Sequence, residues 1–287
     1  MNRKEQNVKR SDGQRGIEDL AAQLKAISET MLEQQPGLSS TRARRVRKTI
    51  TDASLTLRKL IEELDPIKQP GFVFDPSNPD IAGRIIGITM VAQPRKRLAN
   101  IERFYGSGVY ALYYNGNFQP YMGISKREHP IYVGKADPAE PSSKTAFEQG
   151  DRLSNRLNEH RKNIAKATTT LRVEDFEYRA LVVQTGWQTA AENYLIHLFK
   201  PVWNNEMKIA YGLGKHGDDP GTRANLRSPW DTLHPGRDWA SRDKKMRDAR
   251  TSERIVQDIA KHFEKYPPLG TLDEILRKFL EEMREVS

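Results

Sequence analysis

The sequence contains no cysteine among its 287 residues. Disulfide bonds, thiolate metal sites and a cysteine nucleophile are therefore excluded. Long apolar runs are also missing: the longest, around Ile85 to Ala92, is far shorter than the about 20 residues that a membrane-spanning helix needs. The N-terminal segment MNRKEQNVKRSDGQRG lacks the apolar stretch of a signal peptide. We therefore expect a cytoplasmic protein with no membrane partner.

Acidic residues are fewer than basic ones, 38 against 47, which gives a net charge of +9. A surplus of Lys and Arg favours polyanionic partners, because phosphate neutralisation releases counterions. Ribosomal, membrane-surface and nucleic-acid-binding proteins share this surplus, so charge alone does not choose between them. Only 37% of the residues are hydrophobic, which predicts a core of about 150 residues with solvated extensions.

The N-terminal region is predicted to be helical after a polar arm. Residues 1–16 are expected to be disordered. From Ile17 onwards, apolar residues recur at spacings of three and four, and the pattern resumes after Pro36-Gly37. This predicts a helical hairpin over residues 17–66. Two interpretations are open: both apolar stripes pack on the core, or the hairpin protrudes and mediates self-association.

The middle of the sequence combines strand and helix signals. A connecting segment at 67–105 precedes a core at 106–205, and residues 66–83 are rich in Pro and Gly and predicted to be irregular. The predicted strands lie near 109–114, 130–134 and 178–184, and the predicted helices near 153–167 and 188–199. This order predicts an α+β fold, with a small mixed or antiparallel sheet of about three strands flanked by helices and with helices at both ends.

Two further regions follow the core. Residues 206–242 mix Gly, Pro, Arg, Asp and Trp with almost no periodicity. So long a loop is usually functional or disordered, and another interpretation is an ordered wrap that Trp230 and Trp239 anchor to the core. Residues 243–287 are predicted to form C-terminal helices, the last of which opens with a capping box at Thr271.

Several polar side chains of the core are candidates for catalysis, although each has an ordinary structural explanation. Strand tyrosines usually pack, and one glutamate could merely complete a capping box with Thr189. Two of the candidates, spaced four residues apart, project from one helix face. In combination they are more specific than any one alone. The candidates are Tyr110, Tyr132, Lys135, Arg156, His160, Glu192 and Asn204.

The order of these residues along the chain resembles that of a known protein superfamily. A strand with GVY, a strand with YVG, a helix with Arg-x-x-x-His, a helix with one Glu and then Pro-x-x-Asn resemble the GIY-YIG nuclease superfamily across residues 106–205. Both isoleucines of the name are valine here. The stretch from Lys215 through SPWD at 228–231 and HPGR at 234–237 is similar to the GIY-YIG type II restriction endonucleases that cleave CCGCGG.

The resemblance implies hydrolysis of DNA phosphodiesters with magnesium as the cofactor and manganese as a substitute. Glu192 would hold the single metal ion, because Mg²⁺ accepts one carboxylate while keeping several waters. Tyr110 would deprotonate the attacking water. A phenol keeps its proton up to a pKa of about 10, so this role needs a neighbour, with His160 as the first candidate and Lys135 as a weaker one.

The remaining roles concern the phosphate and the bases. By the same resemblance Tyr132 would hydrogen-bond the scissile phosphate, Arg156 would stabilise the charge of the transition state, and Asn204 would orient the site. Arginines can read guanine in the major groove, so the 206–242 region is predicted to recognise DNA. The expected DNA-contacting residues are Lys215, Arg223, Arg227 and Arg237.

The expected partner is double-stranded DNA, and a palindrome is most simply read by a symmetric assembly. We therefore expect a homodimer or homotetramer, with the N-terminal hairpin and C-terminal helices as candidate contacts. Three alternatives remain: a GIY-YIG homing or repair nuclease, an inactive DNA-binding protein, and a ribosomal or RNA-associated protein suggested by charge alone.

Overall fold

The computed structural model of the protein describes residues 3–33, 39–67, 73–214, 226–241 and 246–285, with backbone alone at 3–15, 241 and 285. The chain divides into two compact units, Met1–Gly71 and Phe72–Ser287. None of the helices in these described ranges is both long and apolar enough to cross a membrane.

The first unit consists of two helices. They are α1, Arg3–Glu33, and α2, Ser40–Leu64. The helix pair predicted over residues 17–66 is confirmed, but α1 already begins at Arg3, so residues 3–16 are helical where an irregular arm was expected. The predicted turn at Pro36-Gly37 lies outside the described residues. No residue described in α1 or α2 is buried.

The second unit is built on an antiparallel sheet, which has four strands within the described residues. The strand order is β1-β4-β2-β3, so one strand is added to the three that the sequence predicts. A separate pair of short parallel strands, β5 and β6, lies later in the chain. The strands are β1, Lys96–Arg97; β2, Gly108–Tyr114; β3, Tyr132–Ala136; β4, Phe176–Val182; β5, Leu226–Arg227; and β6, Arg247–Asp248.

Strand β2 lies in the middle of the sheet and is buried on both faces. Its side chains alternate between two hydrophobic clusters, because successive residues of a strand point to opposite faces. Gly108 starts the strand at φ +155°, where an added Cβ would lie 2.1 Å from the carbonyl oxygen of Leu181. Tyr110, Leu112 and Tyr114 enter one cluster, and Val109, Ala111 and Tyr113 enter the other.

Helices cover both faces of the sheet. Helices α4 and α8 pack on the Tyr110 face, and α3, α5 and α9 on the opposite face. Helix α3 lies inside the predicted connecting segment at 67–105, which from Phe72 onwards is part of the compact second unit. The helices are α3, Pro79–Val91; α4, Arg152–Lys166; α5, Gln188–Phe199; α6, Pro229–Leu233; α7, Asp238–Ser241; α8, Ser252–Lys265; and α9, Leu272–Glu285.

Residues 226–240 form an ordered wrap against the core. Trp230 is fully buried, with its ring centroid 5.8 Å from that of Trp203. The interpretation of this stretch as an ordered structural segment is therefore confirmed for the residues that are described. The C-terminal helices also belong to the second unit, because Ile255 of α8 and Ile275 of α9 are completely buried.

Candidate active site

A cleft lies at the free edge of β3, where side chains from both faces of the sheet meet. Its larger part is a cavity of about 500 Å³. A smaller cavity of about 160 Å³ shares three of its lining residues, Tyr132, Arg156 and Glu192. Since Arg156 comes from α4 and Glu192 from α5, the cleft brings together helices that pack on opposite faces of the sheet.

Tyr110 and His160 form a buried hydrogen-bonded pair beside this cleft. The Tyr110 hydroxyl lies 2.7 Å from His160 Nε2, and both residues are almost completely buried. Burial raises the pKa of Tyr110 well above its ordinary value, and the nearby Tyr132 adds to this while the Arg156 charge opposes it. Tyr110 is therefore protonated at neutral pH, and His160 is in position to accept its proton.

Gly134, the glycine of the YVG sequence, makes room for this pair. It is the cross-strand partner of Tyr110. A Cβ at this position would lie 2.6 Å from the Tyr110 hydroxyl oxygen and 2.9 Å from a ring carbon of Tyr132. Any larger residue would push the phenol away from its place, so the glycine is required by the site and not by a turn.

Tyr132 and Arg156 form the wall of the cleft next to Tyr110. The ring centroid of Tyr132 lies 6.1 Å from that of Tyr110 and 5.1 Å from that of His160. Burial raises the pKa of the Tyr132 phenol, so it is a neutral hydrogen-bond donor at neutral pH. The Arg156 side chain is 29% exposed and pairs with Glu159 at 2.9 Å.

Glu192 enters the cleft from α5. Burial raises the pKa of its carboxyl to about 7, the charge of Lys135 opposes this, and the carboxylates of Glu206 and Asp137 raise the pKa further. The alternative in which Glu192 completes a capping box with Thr189 is wrong, because Trp187 is the N-cap residue of α5.

The Lys135 side chain lies on the opposite face of the sheet from the Tyr110 side chain. Its ammonium donates to Asp137 at 3.1 Å and to the hydroxyl of Thr189 at 3.0 Å. In the register, Lys135 is opposite Val109, one residue away from the Tyr110–Gly134 pair, so its side chain emerges on the α5 face. Of the two proton acceptors predicted for Tyr110, His160 is the one that is hydrogen-bonded to it.

Asn204 holds strand β3 in place. Its side-chain oxygen accepts from the Val133 N–H at 3.0 Å, and its amide donates to the Val133 carbonyl at 2.8 Å. Asn204 is buried, so these bonds form in a region of low polarity. This residue fixes the backbone between Tyr132 and Gly134, which matches the orienting role that the sequence suggests.

Comparison with known families identifies this arrangement. A family model described as the Eco29kI GIY-YIG domain matches residues 102–263, more than half of the chain. The chain belongs to this GIY-YIG family. The resemblance drawn from the sequence is therefore confirmed, and the domain is that of a DNA endonuclease. The comparison with curated proteins gives no match.

The GIY-YIG domain extends further along the chain than residues 106–205. The matched region includes the wrap at 226–240 and almost all of α8, and it ends before α9. Burial supports this extension past residue 205, since Trp230 and Ile259 belong to the same hydrophobic cluster as Tyr110. The predicted boundary at 205 separates parts of one core.

The residues predicted to contact DNA are placed differently from one another. Arg237 is buried and paired with Asp231 at 2.7 Å, so it is not available to a base edge, and the expectation is corrected. The Arg227 guanidinium donates to the Ala240 carbonyl and to Asp248, both at 3.0 Å, while remaining partly exposed. Its DNA contact stays a prediction. Lys215 and Arg223 lie outside the described residues.

The donor set of the GIY-YIG cleft suits a single hard cation. No cluster of three or more His, Asp or Glu residues in the described part of the chain could hold a metal. Mg²⁺ needs only one or two carboxylates and keeps its waters. Glu192 supplies one, in a cavity of about 500 Å³ that leaves room for those waters. A bound cation would also relieve the repulsion from Glu206 and Asp137 that raises the pKa of Glu192.

Sequence reasoning missed several residues that shape the cleft. Arg152, Asn155 and Glu159 line it from α4. Arg152 and Glu159 lie four residues before and three residues after Arg156, which is a usable signal, because residues three and four positions apart lie on one face. Gly214 lines the smaller cavity, and nothing in its local sequence distinguishes it from the other glycines of the loop.

Proposed function

We propose that the protein is a type II restriction endonuclease that hydrolyses double-stranded DNA at a short GC-rich palindrome, CCGCGG. One observation carries the nuclease part of this proposal: Tyr132, Arg156 and Glu192 line a single cleft of a GIY-YIG domain, beside the hydrogen-bonded Tyr110–His160 pair. The likeness of the SPWD and HPGR segments to enzymes that cleave CCGCGG supports the narrower specificity.

Proton transfer in the proposed reaction runs through Tyr110 and His160. The 2.7 Å contact aligns the Tyr110 hydroxyl with His160 Nε2. As the attacking water gives its proton to the Tyr110 oxygen, the proton of the phenol passes to His160, so the high-energy phenolate is not formed as a free species. The raised pKa of Tyr110 makes this coupling necessary, since the buried phenol ionises poorly on its own.

The other three residues act on the phosphate and on the metal ion. Tyr132 donates a hydrogen bond to a non-bridging oxygen, and Arg156 stabilises the negative charge that grows in the transition state. Glu192 is the residue that would hold Mg²⁺. When bound, the metal supplies Lewis-acid stabilisation of the phosphate and of the departing 3′ oxygen.

Two other functions have weaker support. A homing or repair nuclease would share the GIY-YIG core, and only the likeness of SPWD and HPGR speaks against it. An inactive DNA-binding protein is disfavoured, because such a protein has no need for a glycine at 134 that clears space for the Tyr110 hydroxyl.

Digestion of a sequenced plasmid tests the proposed function. With Mg²⁺, we expect discrete fragments whose mapped ends all lie within CCGCGG, and no cleavage after EDTA is added. A matched plasmid in which each CCGCGG carries one base change is the control and should stay intact. Uncut plasmid in all conditions would favour a DNA-binding protein, and ends at a long, rare site would favour a homing nuclease.

Self-assembly through the first unit is proposed as well. Leu20 and Ile27 of α1 and Ile61 of α2 are each more than half exposed, which is unfavourable unless another chain covers them. We expect the full chain to sediment as a homodimer or homotetramer, and a chain that begins at Lys68 to sediment as a monomer. Assembly of the shortened chain would remove the hairpin from this role.

A further inference from the structure

Arg237 and Asp231 form a buried ion pair that the proposed reaction does not use. Arg237 Nε lies 2.7 Å from Asp231 Oδ1, and the side chains are 2% and 0% exposed. A second bond of 2.8 Å joins Nη2 to Oδ2, so the contact is bidentate. Removing two charges from water is costly, and the pair therefore calls for a reason beyond packing.

The guanidinium of Arg237 also holds the backbone that leads into the cleft. Nη2 donates to the Gly212 carbonyl at 2.9 Å, and Nη1 donates to the Leu213 carbonyl at 3.1 Å. The Leu213 carbonyl accepts a further bond of 3.3 Å from Asn163 of α4. Residues 212 and 213 are thus fixed from two directions, by the wrap and by the helix that carries Arg156.

The next residue, Gly214, touches the catalytic wall. A Cβ built on Gly214 would lie 2.8 Å from Arg156 Nη2 and 3.8 Å from the Tyr132 hydroxyl. Gly212 and Gly214 both line the smaller cavity together with Arg156. Arg156 and Asn163 are seven residues apart on α4, so they lie on one face of the helix. The segment 212–214 therefore lies against that face.

We propose that Arg237 is a positioning residue for catalysis. With Asp231, it holds the backbone of residues 212–214 against the Arg156 guanidinium and so fixes the place of that long side chain, which is only partly buried. This inference rests on the proposed function, because it assumes that Arg156 stabilises the transition state. Misplacement of a reacting group by about 1 Å can cost about a hundredfold in rate.

Gly214→Ala tests the contact without disturbing the ion pair. Gly214 is not among the described glycines with positive φ, so Ala fits the backbone while its methyl displaces Arg156. We expect kcat to fall at least about tenfold, with KM, DNA affinity and Tm unchanged. Gly270→Ala is the matched control, since its Cβ would make only ordinary contacts beginning at 3.4 Å. A wild-type kcat for Gly214→Ala overturns the inference.

A double-mutant cycle separates positioning from general damage. In an Arg156→Ala background, Gly214→Ala should have no further effect on kcat, because the group that it displaces is gone. A full additional loss in that background contradicts the inference. If Arg156→Ala itself cleaves normally, the proposed function fails at that residue, and the two failures are thereby distinguishable.

Arg237→Lys tests the positioning residue itself. Lysine keeps the charge beside Asp231 but lacks the planar fork that reaches both carbonyls. The expected result is the same fall in kcat without a change in KM, in a protein that remains folded at the assay temperature. A normal kcat in the folded variant overturns the role of Arg237, and if the variant unfolds, the Gly214 measurements decide.

Discussion

Glu192→Gln is expected to abolish DNA cleavage while making the metal-free protein more stable above neutral pH. Glutamine keeps the shape of the side chain and can still accept the hydrogen bond that the backbone N–H of Lys135 donates. Among the described residues, Glu192 supplies the only carboxylate that lines both parts of the cleft, and the substitution removes it. Metal stabilisation of the transition state contributes several kcal/mol, so we expect cleavage to fall at least about a thousandfold.

The gain in stability follows from the direction of the pKa shift. The carboxyl of Glu192 has a pKa of about 7 in the folded protein, against 4.5 for the ordinary group. As pH rises through this interval, the unfolded chain loses its proton first, so stability falls, and the loss is complete above pH 7. The glutamine that replaces Glu192 carries no charge at any of these pH values. We therefore expect a gain on the order of 2 kcal/mol at pH 8, after allowance for solvent screening.

Calorimetry at pH 8 and at pH 4 measures this gain, which should be present at the higher pH and absent at the lower one. Mg²⁺ should raise the Tm of the unmodified protein and leave that of Glu192→Gln unchanged, because only the carboxylate binds it. Glu206→Gln is the matched control: it removes another carboxylate from the smaller cavity and should retain most activity. A cleaving or destabilised Glu192→Gln protein contradicts the assignment.

The core elements could be predicted because their sequence patterns are local. Strand β2 reads as a run of aromatic and aliphatic residues and is buried on both faces, as such a run implies. Helices α4 and α5 were predicted within one residue of their observed bounds. The catalytic candidates lie at the ends and faces of these elements, so the motif order placed most of the cleft correctly.

Helix α3 is not among the predicted elements, although its start carries a local signal, with Asn78 as the N-cap residue and Pro79 at the first helical position. Its sequence carries Gly83 and Gly87, which normally disfavour a helix. Both glycines lie against α5: an added Cβ would be 2.6 Å from the Ala190 carbonyl oxygen and 2.7 Å from the Tyr194 ring, respectively. Close packing between helices requires these glycines, and nothing in the local sequence indicates that α5 is the partner.

Arg237 shows a second limit of prediction from the sequence. An arginine in a Gly- and Pro-rich loop of a basic protein has the sequence context expected of a residue that contacts DNA bases. The sequence does not reveal that this arginine is buried together with a carboxylate partner. Asp231 lies in α6 and Arg237 in the loop before α7, so no helix or strand period relates the two residues. Strand alternation, by contrast, could have decided between His160 and Lys135, since Lys135 and the Tyr110 partner Gly134 are adjacent in β3.

Tyr110→Phe is expected to reduce the single-turnover cleavage rate by about a hundredfold to ten-thousandfold, the range of general base catalysis. Phenylalanine fills the same buried space and loses only the hydroxyl that faces His160. DNA affinity should be unchanged, because in the proposed reaction this hydroxyl acts on the attacking water and does not bind the phosphate. Tyr113→Phe is the control: Tyr113 is a buried tyrosine of the same strand whose side chain enters the opposite cluster, and the rate should stay near that of the unmodified protein.

His160→Ala should cost about as much as Tyr110→Phe, and the double variant should be no slower than either single one. Two groups that pass one proton act as a unit, so loss of the first leaves nothing for the second to contribute. Independent contributions would instead multiply. A multiplied loss would mean that His160 acts on the substrate directly. In that case the 2.7 Å bond to Tyr110 would only orient the imidazole, and the proton of the attacking water would leave by another route.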